Sequence, residues 1–199
     1  MNAGATSERV YAGLKARLLG NEFQPGSRLD PTALADDLVS SVTPVRDALH
    51  LLAGEKLVEA RIGDGFHVPH VTGPGLEDLY AWNAEIVLAS LRRRVPSREE
   101  AAWLVAADRK IAERTAGIFG SIAAGSVNGE HIAATQSISD RLHAARSVEA
   151  EVLDDVAPEL HALAALRDDV AALRKAVVAY HHRRRRAVPE IVRALYRAS

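Results

Sequence analysis

The first 70 residues show short amphipathic patterns separated by glycine and proline. Apolar residues recur at every fourth position over 10–18 and predict a first helix over about 7–19. Ser7 is the expected N-cap of this helix, and Gly20 is the glycine expected at its C-terminal end. The segment therefore begins with one amphipathic helix that ends in a turn.

Two further helices begin with the same signal, a capping residue followed by proline. Asp30 precedes Pro31, and Thr43 precedes Pro44. Proline is favoured in the first turn because the N–H that it lacks has no partner inside the helix. The apolar face of the third helix carries Val45, Ala48, Leu49 and Leu52. Off that face, pointing outwards, lie Arg46, Asp47 and His50.

Two short strand patterns follow, over 57–62 and 66–68, with Gly63-Asp64-Gly65 as the hairpin turn between them. Three helices and a hairpin in this order predict a winged helix-turn-helix. In that motif the third helix presents its outer face to the major groove of DNA. The glycines of the wing let the backbone approach a phosphate closely.

Beyond residue 75 the pattern changes to long stretches rich in Ala, Leu and Arg. Five to seven helices are expected there, over about 75–94, 97–118, 130–153, 158–186 and 189–197. The Gly73-Pro74-Gly75 stretch is the expected linker. The chain is thus predicted to be mainly α, with a winged helix-turn-helix over 1–72 and an all-helical bundle over 76–199.

Composition and motifs exclude several classes of protein. The chain has no cysteine, which excludes disulfides, thiolate metal sites and cysteine catalysis. No apolar run reaches the length of a membrane span or a signal peptide, so we expect a cytoplasmic protein without a membrane partner. The motifs G-x-S-x-G, G-x-x-x-x-G-K-[ST], G-x-G-x-x-G and H-E-x-x-H are absent, so an enzyme is not expected.

Charge argues against DNA binding. The chain has a net charge of −1, and residues 1–74 hold seven Lys/Arg against nine Asp/Glu. A protein that binds DNA needs a basic face, even where its overall charge is neutral. The first segment, at net −2, does not supply one by composition alone.

A run of ordered residues carries a family resemblance. The pattern reads PG-x-x-L, LA, S-x-TPVR-x-AL, L-x-x-E-x-LV and G-x-x-V, and it spans about residues 8–70. It strongly resembles the DNA-binding domain of the GntR family of transcriptional regulators. The resemblance implies a homodimer that binds a near-palindromic duplex operator and acts as a repressor. The same resemblance implies that a small-molecule effector changes the affinity for this operator. It also implies that DNA is contacted by Ser41, Thr43, Arg46 and His50 on the third helix, with Arg28 and Gly65 near the wing.

The sequence departs from the family at positions that bind DNA. The family usually has arginine where Val42 and Thr32 stand here, and glycine where Val39 and Lys56 stand. A lost arginine–base pair costs on the order of 1–3 kcal/mol of discrimination. The available replacements are Arg28, Lys15, Arg17 and Arg61. The alternative is therefore a helical sensor or interaction protein whose winged helix no longer reads DNA specifically.

The helical segment is faintly similar to the FCD subgroup of the family, through Phe119, Ile122-Ala123, Ser126 and Asn128. That subgroup binds a metal with an aspartate and three histidines, but Ala116 and Gly120 stand at two of these positions, so we expect no metal or other cofactor. Asn83 stands where the subgroup often has arginine, and it is a candidate ligand-binding residue for that reason.

Arg141 and His143 are candidates for a pocket that binds an acidic effector, with surface salt bridges as the alternative. The histidines of the helical segment show no pair at i, i+4, which favours isolated side chains over a metal site. The basic stretch 180–186 is interpreted as a solvated helix end whose cations oppose the helix dipole.

Overall fold

The computed structural model describes residues 3–92, 110–166 and 168–197. It divides into two compact units, Met1–Val71 and Thr72–Ala198. The predicted helix over 97–118 begins outside the described residues, so only its second half can be compared. Within the described residues the fold is mainly α with one small sheet, which confirms the predicted fold class.

The first unit holds three helices and three short strands. In chain order these are α1 (Ala3–Leu19), β1 (Arg28–Leu29), α2 (Pro31–Asp37), α3 (Val42–Gly54), β2 (Glu59–Arg61) and β3 (Gly65–His67). The helix α1 begins before Ser7, so the prediction that Ser7 caps it is wrong. The left-handed residue at its C-terminal end is Asn21, with φ 56°, and not Gly20. The N–H groups of Asn21 and Glu22 bond back to α1 and close that end.

The strands form an antiparallel sheet in the order β1-β3-β2. The predicted hairpin is present, and Phe66 in its second strand pairs with Ala60 on one side and Leu29 on the other. The strand β1 was not predicted, because two residues are too short to show an alternating pattern. It places Arg28 at the edge of the wing.

The core of this unit is continuous and apolar. The stripe predicted for α3 is buried and packs against α1 and α2. The buried apolar residues are Val10, Leu14, Leu29, Leu34, Ala35, Val45, Ala48, Leu49, Leu52, Leu57, Val58 and Phe66. Burial of one face of α3 leaves its opposite face to solvent.

The connection between α2 and α3 is a tight turn in which Val39 adopts a left-handed conformation, with φ 49°. The N–H of Val39 bonds to Asp36 O, and that of Ser40 bonds to Ala35 O, which closes α2. Arg9 donates from α1 to the carbonyl oxygens of Leu38, at 2.9 Å, and Val39, at 3.3 Å. A β-branched residue is unfavourable in this conformation, where the family has glycine.

The second unit is helical throughout its described part. Its helices are α4 (Gly73–Ser90), α5 (Ile111–Ala124), α6 (Glu130–Arg141), α7 (His143–Val152), α8 (Val156–Ala165), α9 (Val170–Arg186) and α10 (Val188–Leu195). The expected helix over 130–153 is broken at Leu142, and the one over 158–186 is divided into α8 and α9. The stretch Gly73-Pro74-Gly75 was expected to be a linker, but it forms the first turn of α4, with Thr72 as the N-cap. None of the helices among the described residues is long and apolar enough to cross a bilayer.

The helices of the second unit surround one core. The helix α4 packs against α6 and α9, and α5 packs against α6 and α7. An apolar cluster of the bundle holds Val87, Leu91, Ile118, Phe119, Ile122, Val156, Leu160, Leu163, Leu173, Val177 and Tyr180. Several polar and charged side chains are buried beside these residues, and they form the second candidate site below.

Candidate DNA interface and buried polar cluster

The outward face of α3 carries the side chains expected to contact DNA. Ser41, Thr43, Arg46 and His50 are all exposed. The N-cap of α3 is Ser41 and not the predicted Thr43, and the Ser41 side chain makes no capping hydrogen bond. No salt bridge joins Arg46 to a carboxylate among the described residues. The guanidinium of Arg46 is therefore available to an external acceptor.

The structure brings Arg28 and Gly65 together at the wing. A Cβ placed on Gly65 would lie 3.9 Å from Nε and Nη2 of Arg28, so the two residues are in contact range. The ring of His50 meets that of Phe66 edge to face, with centroids 4.9 Å apart, and this contact joins α3 to the wing. Ile62 is fully exposed at the tip of the hairpin. The two predicted parts of the DNA interface are thus adjacent.

Internal contacts occupy several cations of this unit, among them three of the four proposed replacements for the missing arginines. Lys15 Nζ lies 2.8 Å from Glu55 Oε2. Arg17 pairs with Glu22 at 2.7 Å and Asp37 at 3.0 Å. Arg61 pairs with Glu59 at 2.7 Å, and Arg9 is engaged with backbone oxygens as described above. Outside these contacts, within the described residues, remain Arg28, Arg46 and Lys56.

In the second unit, Glu149 of α7 is the centre of a buried polar cluster. Its Oε1 accepts a hydrogen bond of 2.8 Å from the hydroxyl of Tyr80, and its Oε2 accepts one of 3.0 Å from Nε of Arg184. Arg184 also pairs with Glu159 and lies over the ring of Tyr180, at 3.6 Å from the centroid. Burial and the charge of Glu149 raise the pKa of Tyr180 to about 12, so this phenol stays protonated.

A second buried guanidinium, that of Arg146, lies in the same bundle. Arg146 is fully buried, and its Nη2 donates to Asn83 Oδ1 at 3.0 Å. Its Nε and Nη1 have no hydrogen-bond partner, and neither has Nδ2 of Asn83. The guanidinium carbon lies 5.4 Å from the ring centroid of Phe119. Arg146 thus has one neutral acceptor where Arg184 has two carboxylates.

His181 of α9 completes this group. Its Nδ1 lies 2.7 Å from Val177 O, and its Nε2 lies 2.9 Å from Asn83 Oδ1. The imidazole stacks on Phe119, with centroids 5.3 Å apart. Burial lowers the pKa of His181 to about 3, and the charges of Arg146 and Arg184 act in the same direction. His181 is therefore neutral at physiological pH.

The predicted ligand residues are only partly brought together. Asn83 is fully buried within the cluster. His143 is half-buried, and burial and the charge of Arg146 lower its pKa. Arg141 is half-buried as well, with a pKa lowered by burial. A surface groove of about 430 Å³ between α4 and α9 is lined by none of the three. Their role in binding stays a prediction.

The burial of two arginines, Arg146 and Arg184, was not predicted from the sequence. Arg184 belongs to the stretch interpreted as a solvated helix end, and that interpretation is wrong for this residue. The signal that identifies it is its position on the buried stripe of α9, which also holds Leu173, Val177, Tyr180 and His181. In the same way, Arg146 and Glu149 continue the stripe of Leu142 and Ala145 on α7.

The residues do not fit the metal site of the FCD subgroup. Within the described ranges, no group of three His, Cys, Asp or Glu side chains is arranged to hold a metal ion. Ala116 and Gly120 provide no ligand. The buried His181 faces a backbone carbonyl and an amide oxygen rather than other metal ligands.

Comparisons with known proteins agree with the fold of both units. The family model for bacterial regulatory proteins of the gntR family matches residues 6–68. The uncharacterized HTH-type transcriptional regulator YdhC of Bacillus subtilis is 31% identical over 72 residues, which are 36% of this chain. The match spans only 32% of the length of YdhC.

Two solved structures share the fold over nearly the whole chain. A putative GntR transcriptional regulator from Rhodococcus sp. RHA1 has a TM-score of 0.80 at 16% identity, covering 94% of this chain and 98% of that one. The McbR/YncC protein of E. coli has a TM-score of 0.68 at 19% identity, covering 93% and 97%. The gntR family consists of regulatory proteins, in agreement with the expectation that the chain is not an enzyme. Residues 6–68, which hold the winged helix-turn-helix, thus match the GntR family of bacterial regulatory proteins.

Proposed function

We propose that this chain is a dimeric transcriptional regulator that binds duplex DNA through α3 and the wing. The observation that carries the proposal is the exposed, unpaired guanidinium of Arg46 on the outward face of α3. The opposite face of α3 is fixed in the core, so the helix is held rigidly while this face stays open. Ser41, Thr43 and His50 would share the contact, with Arg28 and Gly65 placed at the flanking backbone.

The regulatory part of the proposal concerns the helical unit. A small-molecule effector bound there would favour one arrangement of the two winged helices in the dimer. The spacing of the winged helices sets their fit to the half-sites, so this shift in populations changes the affinity for the operator. Repression follows if the high-affinity state exists without effector.

A fluorescence polarisation titration tests DNA binding. The full chain is titrated against a duplex from its own upstream region and against a scrambled duplex of equal composition. We expect tighter binding to the first duplex and a loss on the order of 1–3 kcal/mol for Arg46→Ala. The matched control is Arg193→Ala, which removes an exposed arginine of α10. Unchanged binding by Arg46→Ala would refute the assignment of this residue.

The alternative function is a sensor or interaction protein whose winged helix does not read a sequence. The engagement of Lys15, Arg17 and Arg61 with neighbouring carboxylates favours it, because these cations are then less available to phosphates. Equal affinity for the two duplexes, unaffected by Arg46→Ala, would support this alternative.

A further inference from the structure

The buried cation Arg146 has too few acceptors. A guanidinium carries five N–H donors and is not deprotonated in proteins. Arg146 is fully buried, and its Nε and Nη1 have no partner. A charged group enclosed without compensation destabilises a fold, and unsatisfied buried donors commonly mark a missing ion or water. Arg184, equally buried, has two carboxylate partners, and of its nitrogens only Nη2 lacks a hydrogen bond.

Turning the Asn83 amide does not remove the deficit. As placed, Asn83 Oδ1 accepts from Arg146, but it also faces Nε2 of His181, and the other ring nitrogen faces Val177 O. A neutral imidazole has one donor, so it cannot serve two acceptors. If the amide is turned, Nδ2 donates to His181 Nε2, and Arg146 loses its single acceptor. Both orientations leave a buried donor set that lacks an acceptor.

The missing group is an anion rather than a metal ion. The atoms without partners belong to a cation and an amide N–H beside a neutral histidine, and the described residues hold no metal-binding group. A cation placed beside Arg146 would be repelled.

We propose that the helical unit binds a small oxyanion, a carboxylate or phosphate group, between Arg146 and Asn83 and without a metal. The unpartnered nitrogens of Arg146 and Nδ2 of Asn83 donate to it. The anion is small, because these nitrogens are enclosed. The regulatory meaning of this site rests on the function proposed above, whereas the binding itself does not.

Thermal unfolding of the full chain in increasing sodium acetate or sodium phosphate tests the proposal, with ionic strength held constant by sodium chloride. For the wild type we expect a saturable rise in Tm in at least one series, because an anion at 100 times its Kd lowers the unfolding constant about 100-fold. The series that responds identifies the class of anion. Arg146→Met should lose the saturable rise, while Arg186→Met, at an exposed position, should keep it.

A second variant supplies the anion from within. Asn83→Asp places a carboxylate at the position of Oδ1, 3.0 Å from Arg146. We expect it to raise Tm in buffer without acetate or phosphate and to abolish the response to both. The proposal is overturned if the wild type and Arg146→Met respond equally, or if Asn83→Asp lowers Tm and keeps the response. None of these results depends on DNA, so the polarisation titration separates a failure of this site from a failure of the proposed function.

Discussion

Replacement of Val39 by glycine should stabilise the first unit. Val39 ends α2 in a left-handed conformation, with φ 49°. This conformation costs a residue with a Cβ roughly 1–2 kcal/mol. The side chain is 87% exposed, so its removal forfeits little buried area. Glycine offsets about 0.4–1 kcal/mol of this gain, because it gives the unfolded chain more conformational freedom. The net expectation for Val39→Gly is a gain of about 1 kcal/mol.

Native-state hydrogen exchange measures this gain in the full chain. The core amides of α3, among them those of Leu49 and Leu52, should exchange about fivefold more slowly in Val39→Gly, because 1.4 kcal/mol corresponds to a factor of ten. The control is Val127→Gly in the second unit, at an exposed valine (57%) whose φ is not positive. It should lower stability by about 0.4–1 kcal/mol. If Val39→Gly accelerates exchange in α3, strain at this turn is not the reason for its conformation.

Three further outcomes follow from the contacts described above. The logarithm of the DNA-binding constant should fall with the logarithm of salt concentration with a slope no steeper than about −5, because three available cations in each protomer of a dimer neutralise about six phosphates. Arg46→Ala removes two of these cations from the dimer and should flatten the slope by about 2. A steeper wild-type slope in a polarisation titration contradicts this expectation. Arg184→Met should lower the free energy of unfolding, measured by urea titration, by about 3–5 kcal/mol, because Glu149 is left buried and uncompensated. The exposed Arg186→Met should lower it by roughly 0.5 kcal/mol or less. Asp30→Ala should lower the free energy of unfolding by about 1 kcal/mol, because the Asp30 side chain accepts a hydrogen bond from Thr32 N at 2.9 Å. Ser41→Ala loses no such bond and should leave the free energy of unfolding nearly unchanged in the same urea titration.

The winged helix could be derived from local signals. Asp30 before Pro31 marks the start of α2, and the stripe on α3 identifies both its buried face and its outward face. These features depend on residues within one or two helical turns, which is why the sequence reveals them. The same reasoning was wrong at Ser7 and missed β1, since neither a helix start without a cap nor a two-residue strand leaves a periodic pattern.

The contacts of the charged side chains were not derivable in this way. Lys15 and Glu55 are 40 residues apart, and their ion pair exists only because α1 packs across α3. The sequence counts Lys15 as a cation available to DNA, while the fold assigns it to a carboxylate. The same holds for Arg17 and Asp37, which are 20 residues apart.

The sequence by itself determined the class of the fold, the three helices and hairpin of the first unit, and the outward position of Arg46. These follow from periodicity and capping, which act over a few residues of chain. Only the tertiary structure decided that Arg184 is enclosed with two carboxylates and that Arg146 is enclosed with almost no acceptor. Burial and the supply of acceptors come from helices distant in sequence, and no local pattern records which of them will meet.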